Sequence, residues 1–298
     1  MDMRHWPIQV GASLVLLLFP TGSAHPELNS DTCAATAAPN RINLSGYVLT
    51  FEEKFDQLDV SAWGPGTRWI AHTPWYGDFG DARFADPTDG FPFTVSEGLL
   101  RIEARKDSDG NWQSGLLSSA DREGNGFLQQ FGYFEMRAKL PPGPGVWPAF
   151  WLIANQDPET SAEIDVIEYY GHAPDIYHSV VHVWPKDETT ERRTYHLQHS
   201  VPSGSLTEAF HDYGVSVEAD WIIFYLDRKE MGRVRTPPEH RRPMFILLNL
   251  ALGGGWPIDQ TIDPSFLYVD HVHAYRQRVS REGQALPEPH DGCRHSTG

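Results

Sequence analysis

Cysteine is nearly absent from this chain. Only Cys33 and Cys293 occur in 298 residues. That excludes a small fold stapled by many disulfides. Positive charge is scarce as well. Lys and Arg number 24 against 40 Asp and Glu, a formal net charge of -16. Nucleic acid is thereby disfavoured as a partner, because its binding rests on neutralising phosphates. Strongly anionic polymers would be repelled by the same field. Beyond residues 10–19, no stretch approaches the ~18 apolar residues of a membrane span. There is no Cys/His zinc spacing, no phosphate-cradling glycine loop, no serine nucleophile elbow and no internal repeat. No long amphipathic helix is visible either. Aromatic residues, by contrast, are plentiful: 10 Trp, 11 Tyr and 15 Phe. Gly and Pro follow, at 26 and 23. So many rings argue against disorder.

Residues 1–24 carry Arg4, an apolar run at 10–19, and small residues up to Ala24. They read as a secretory signal peptide. The processed protein is then exported, to the periplasm or outside the cell, with no membrane span and as a monomer. Residues 25–40 form a polar linker, 41–278 one domain, and 279–298 a polar tail. Cys33 and Cys293 lie at opposite ends of the mature chain and are expected to pair in an oxidising compartment.

Strand signals recur through 41–278. Apolar and polar residues alternate at 47–51, 98–104, 133–139, 163–169, 177–184, 213–217, 221–226, 245–251 and 268–275. Turns rich in Gly and Pro separate them, as in Pro141-Pro142-Gly143-Pro144-Gly145 and Gly253-Gly254-Gly255. Many short strands of this kind indicate an all-β sandwich or barrel. Residues 206–210 allow one helical turn.

One strand is anomalous. Glu163-Ile164-Asp165-Val166-Ile167-Glu168 places three acids within six residues. Carboxylates are poor strand formers, and like charges crowded on one sheet face are destabilising. Period-two alternation puts Glu163 and Asp165 on one face and Glu168 on the other. A lone Glu in the core is untenable. A β-bulge near Val166-Ile167 returns Glu168 to the face of the other two. Paired carboxyls on a sheet floor suit glycoside hydrolysis with retention, which needs them ~5–5.5 Å apart. A solvated charged face and a carboxylate calcium site are the alternatives at this point.

This hexapeptide resembles the bulged E-x-D-x-x-E signature of glycoside hydrolase family 16. The resemblance extends along the chain in order. It includes Phe51-Glu52-Glu53-Lys54-Phe55-Asp56, Gly132 to Pro141 and Gly145 to Leu152. It continues through Phe210 to Val215, Phe224 to Asp227, Leu248 to Pro257 and Val269 to Tyr275. It implies a concanavalin-like β-jelly-roll sandwich of two curved antiparallel sheets. Glu163 would be the nucleophile, Asp165 its helper and Glu168 the acid/base. The activity implied is that of a laminarinase or licheninase, an endo-acting enzyme on neutral β-1,3- or mixed β-1,3-1,4-glucan. A transglycosylase, a depolymerase of another β-linked polysaccharide, and a non-catalytic carbohydrate-binding sandwich remain alternatives.

Pyranose rings present apolar faces, so aromatic platforms are expected in the cleft. Trp147, Trp151, Trp184 and Trp256 are the candidates, with His182 beside Trp184 in strand parity. Glu135, Arg137 and Asn249 resemble sugar-contacting residues of the family. Catalysis needs no cofactor. A structural calcium is expected at Asp270 with the Gly98 carbonyl, since hard oxygen ligands suit that ion. Residues 77–84 and Thr160-Ser161-Ala162 depart from the common glucanase pattern on the donor side.

Overall fold

The alternating segments pair into two sheets, one of ten strands and one of eight. The computed structural model describes residues 40–278, except 76, 155 and 188. The eight-stranded sheet runs in the order Arg193–Ser200, Ile176–Pro185, Thr160–Glu168, Val146–Ala154, Phe245–Leu252, Leu116–Ser118, Trp69–Ile70, Val60–Ser61. The acidic strand Thr160–Glu168 is thus third from one edge, flanked on both sides. The ten-stranded sheet is centred on Gly132–Lys139 and Ser265–Gln277. Among the described residues, helix is confined to the single turn Ser205–Glu208 and two short 3₁₀ segments.

Alternation decides which residues lie between the sheets. Along Gly132–Lys139, Phe134, Met136 and Ala138 enter the shared core. Along Thr160–Glu168 and Phe245–Leu252, the core takes Ala162, Ile164, Val166, Ile167, Ile246, Leu248 and Leu250. The remaining parity points outward on each sheet. On the eight-stranded sheet it builds a second apolar cluster around Ala149, Trp151, Ile153, Leu247 and Ala251. On the ten-stranded sheet it builds a third around Tyr133, Ile223 and Tyr225.

The fold is the expected β-jelly-roll sandwich, with one difference. Two short edge pairs are parallel, Val60–Ser61 with Trp69–Ile70 and Arg83–Phe84 with Trp112–Ser114. Both sheets are therefore mixed at their margins. Among the described residues, no helix is long and apolar enough to cross a membrane. Residues 1–39 and 279–298 lie outside the described residues, and with them the leader, most of the linker, the tail, Cys33 and Cys293.

Candidate active site

The acidic strand carries the bulge that its sequence demands. Against Val146–Ala154, Asp165 pairs with Trp151 and Ile167 with Phe150, so Val166 is the extra residue. Against Ile176–Pro185, Asp165 pairs with Val180 and Glu168 with His178, the same irregularity seen from the other side. Val166 and Ile167 both go into the core. The inserted residue turns Glu168 onto the face of Glu163 and Asp165. Asp165 is buried between its half-buried neighbours.

Each outer acid is held by indole. Trp184 Nε1 donates to Glu163 Oε2 at 3.2 Å. Trp147 Nε1 donates to Glu168 Oε1 at 3.1 Å, joined there by the Tyr170 hydroxyl at 3.3 Å. Tyr170 also stacks on Trp147, with 5.8 Å between centroids and 17° between planes. Behind the strand, His240 Nε2 lies 3.0 Å from the Glu163 carbonyl oxygen. A carbonyl only accepts, so this nitrogen carries the hydrogen. Asp165 Oδ2 is buried without a hydrogen-bond partner, 3.6 Å from His182 Nε2.

No lysine or arginine ion-pairs with these acids among the described residues. Burial is the largest cause pushing all three carboxyls up. The Glu168 charge adds to it for Glu163, and both glutamates add to it for Asp165, the group raised well above its ordinary range. The indole and phenol donors pull the other way at Glu163 and Glu168. The cluster cannot carry three charges near neutral pH. Burial and the two neighbouring glutamates favour the protonated form of Asp165. The neighbouring imidazoles are neutral too: burial pushes His178 and His182 down to about 4. Glu163, Asp165 and His182 each bring one ligand atom within 4.8 Å of the others.

Of the four candidate tryptophans Trp256 is exposed, Trp147 and Trp184 are half-buried, and Trp151, expected as a platform, is buried. Trp151 and Trp147 sit on the cleft face, with Phe79 edge-on to both at 6.0 and 5.5 Å between centroids. Trp256 is 42% exposed, the aromatic surface most open to a ligand here, and lies over His172 at 3.9 Å. Gly254 permits this: it has φ 64°, and a Cβ there would meet Trp147 and Tyr170 at 2.8 Å. His182 stacks on Trp184 at 4.6 Å.

Three other expectations are corrected. Glu135 and Arg137 belong to the ten-stranded sheet and face away from the inter-sheet core. They lie on the opposite side of the sandwich from Glu163 and touch no part of the cleft. Parity gave them a common face but cannot say which sheet that face belongs to. Asn249 is fully buried. Its Oδ1 accepts from Trp151 Nε1 at 2.8 Å and its amide reaches the Trp147 backbone carbonyl at 3.5 Å, so it orients the Trp151 indole and offers nothing to a sugar. Asp270 Oδ2 faces Arg137 Nε at 3.2 Å. Among the described residues Asp270 belongs to no convergent set of three or more Asp, Glu, His or Cys side chains, which leaves calcium without a cage there.

Other residues escaped the sequence reading. Tyr170 was within reach, because it keeps the parity of Glu168 just past the strand end. Trp75 and Phe79, which line the floor beside Trp151 and Trp147, stand in a segment without periodicity. His240 comes from the 3₁₀ turn Pro238–Arg241 and has no local signal.

Residues 89–266 match the family model described as glycosyl hydrolases family 16. Two curated relatives come from Rhizobium meliloti. The endo-1,3-1,4-beta-glycanase EglC is 31% identical over 76% of this chain and 51% of its own length. The endo-1,3-1,4-beta-glycanase ExsH is 32% identical over 90% of this chain and 60% of its own length. This chain therefore spans little more than half of either relative. The catalytic domain of an endo-1,3-beta-glucanase (laminarinase) from Thermotoga petrophila superposes with a TM-score of 0.60 at 25% identity, covering 78% of this chain and 99% of that one. A match running through the bulged acidic strand and most of both sheets leaves one assignment: the chain belongs to glycosyl hydrolase family 16.

Proposed function

We propose that this chain is a retaining endo-β-glucanase that cuts neutral β-1,3- or mixed β-1,3-1,4-glucan by double displacement. The observation that carries this reading is the convergence of three carboxyls on one cleft face with no lysine or arginine paired to them among the described residues. A binding module would gain nothing from that arrangement, because crowded buried acids cost stability. The names of the relatives support the substrate class.

In this reading, Glu168 protonates the leaving oxygen and ionised Glu163 attacks the anomeric carbon. Glu168 then takes the proton of the incoming water. Asp165 keeps its proton, which removes one charge from the cluster and leaves Glu163 free to ionise. The motif order assigns the nucleophile to Glu163. The donors at Glu168 serve its second task. Once Glu163 is esterified, its charge is gone, and Trp147 and Tyr170 stabilise Glu168 as the base. Trp256 and Trp147 offer apolar faces to the sugar rings. The leader-like residues 1–24 support export.

The test is product analysis on laminarin, lichenan, xyloglucan and agarose, with Glu163→Gln as control. Oligosaccharides from the first two polymers are expected from the wild type, and none from the variant. Cleavage that persists in Glu163→Gln would overturn the assignment.

A further inference from the structure

A second convergent cluster lies on the other side of the sandwich and has no part in the cleft. His271 and His273 alternate on the strand Ser265–Gln277, so both rings project from its outer face. Their imidazoles stack at 4.1 Å with 19° between planes. In the ladder His273 faces Glu135 of Gly132–Lys139, whose carboxylate is fully buried. One nitrogen from each ring and one Glu135 oxygen lie within 4.8 Å of one another.

The second nitrogen of each ring decides the first. His273 Nδ1 lies 3.2 Å from the Tyr275 hydroxyl, and His271 Nδ1 lies 3.5 Å from Asp270 Oδ2. Asp270 Oδ2 can only accept, which favours the hydrogen of His271 on Nδ1, and the Tyr275 hydroxyl can accept one from His273 Nδ1. Both Nε2 atoms are then lone-pair acceptors, and both are buried without a hydrogen-bond partner. They stand beside an acceptor, Glu135 Oε1, which is 3.7 Å from His271 Nε2. In that tautomer both Nε2 atoms lack a donor out of contact with water, and Glu135 Oε1, which already accepts from Arg228 Nη2, keeps a second lone pair. Two ligands ~2.1 Å from a tetrahedral zinc stand ~3.4 Å apart, close to that separation. The outer contacts match as well, since ligating imidazoles commonly give their other N–H to a carboxylate or another oxygen acceptor.

We propose that His271 Nε2, His273 Nε2 and Glu135 Oε1 form a binding site for a divalent transition-metal ion of the zinc type, on the sheet face opposite the catalytic acids. Two imidazoles and one carboxylate are a borderline donor set that suits zinc, and an oxygen-only ion such as calcium would prefer other ligands. Glu135 Oε1 accepts from Arg228 Nη2 at 2.8 Å through one lone pair, which leaves the other for the ion. Arg228 is 39% exposed, so its guanidinium can turn towards water as the ion enters. Glu52 Oε1, 4.0 Å from His273 Nε2 and held by Lys54, is within reach of the fourth position. The ion would pin two neighbouring central strands and stabilise the fold by linkage. It has no role in the chemistry of the cleft.

The experiment uses tag-free protein dialysed against chelator and then titrated with zinc chloride, read by calorimetry and thermal unfolding. One equivalent of zinc should bind and raise Tm. The His271→Gln/His273→Gln double variant should bind that equivalent on the order of 100-fold more weakly or worse. His182→Gln, which alters the other convergent cluster, should still bind it. Cobalt(II) in the wild type supplies a readout independent of any variant: the intense visible bands of a four-coordinate site are expected. Wild-type protein whose Tm and heat are unmoved by zinc would overturn the proposal. So would zinc binding that the double variant retains, or cobalt spectra showing only the hydrated ion.

Discussion

Two buried carboxylate sites occupy opposite faces of one sandwich, and they titrate in opposite directions. Burial pushes Glu163, Asp165 and Glu168 up, and no arginine or lysine offsets it among the described residues. Burial also works to raise Glu135, but hydrogen bonds from Arg228 and Tyr133, with the Arg228 charge, outweigh it and hold that carboxyl at about 2. Burial alone therefore does not decide the state of an acid; the partner does. The ten-stranded sheet supplies a cation and obtains a fixed charge that holds structure together. The eight-stranded sheet withholds one and obtains protons that can move.

The sharpest way to break this comparison is to remove one acid from each face. Glu163→Gln should lower kcat on lichenan by roughly 10³-fold or more, with no loss of thermal stability. Glu135→Gln should do the reverse. It should leave kcat/KM within about twofold and cost about 1–3 kcal/mol of stability in denaturant unfolding, because a buried charge-assisted pair is lost. A Glu135 variant that is stable but inactive would dissolve the distinction.

A smaller effect tests the signs. An acid with a raised folded pKa weakens the fold as pH climbs from its unfolded pKa through the folded one. Asp165→Asn should therefore gain a few degrees in Tm at pH 7 and little at pH 4. Glu135 is the depressed case. Its stabilisation is present above the unfolded pKa and is lost as pH falls towards 2. The deficit of Glu135→Gln should accordingly shrink on acidification while the gain of Asp165→Asn also fades, so the two Tm differences have opposite sign at pH 7 and converge in acid. Parallel curves would refute the assigned directions. The smallest effect is at Trp147→Phe. Its indole N–H lowers the Glu168 pKa. Without it, the alkaline limb of the pH–rate profile should move up by less than about one unit, at a stability cost of about 1 kcal/mol.

How much of this could be read beforehand differs between the same two faces. The acidic strand was legible because its chemistry contradicts its local structure. Three acids in a strand and a parity clash at Glu168 admit few solutions, and the bulge at Val166 is the one adopted. The core strands were legible through alternation. Arg193–Ser200 and Lys229–Arg235 were not, because edge strands with mostly exposed side chains carry no buried face to generate a period. Glu135 and Arg137 were expected to contact sugar and instead lie on the other sheet, since alternation fixes a face but not its sheet. The Glu135–His271–His273 convergence was invisible for the same reason: it depends on a ladder between strands more than a hundred residues apart. His240 behind Glu163 is equally non-local.

The central claim is that the charge on the cleft pair is delivered to Glu163. In the resting site, the hydrogen bonds favour Glu168 as much as Glu163. The direct measurement traps the intermediate with an activated 2-deoxy-2-fluoro-β-glucoside of a short β-1,3-glucan and maps the modified peptide by mass spectrometry. The account predicts one glycosyl unit esterified to Glu163. An adduct on Glu168, or turnover that never passes through a covalent adduct, would contradict it.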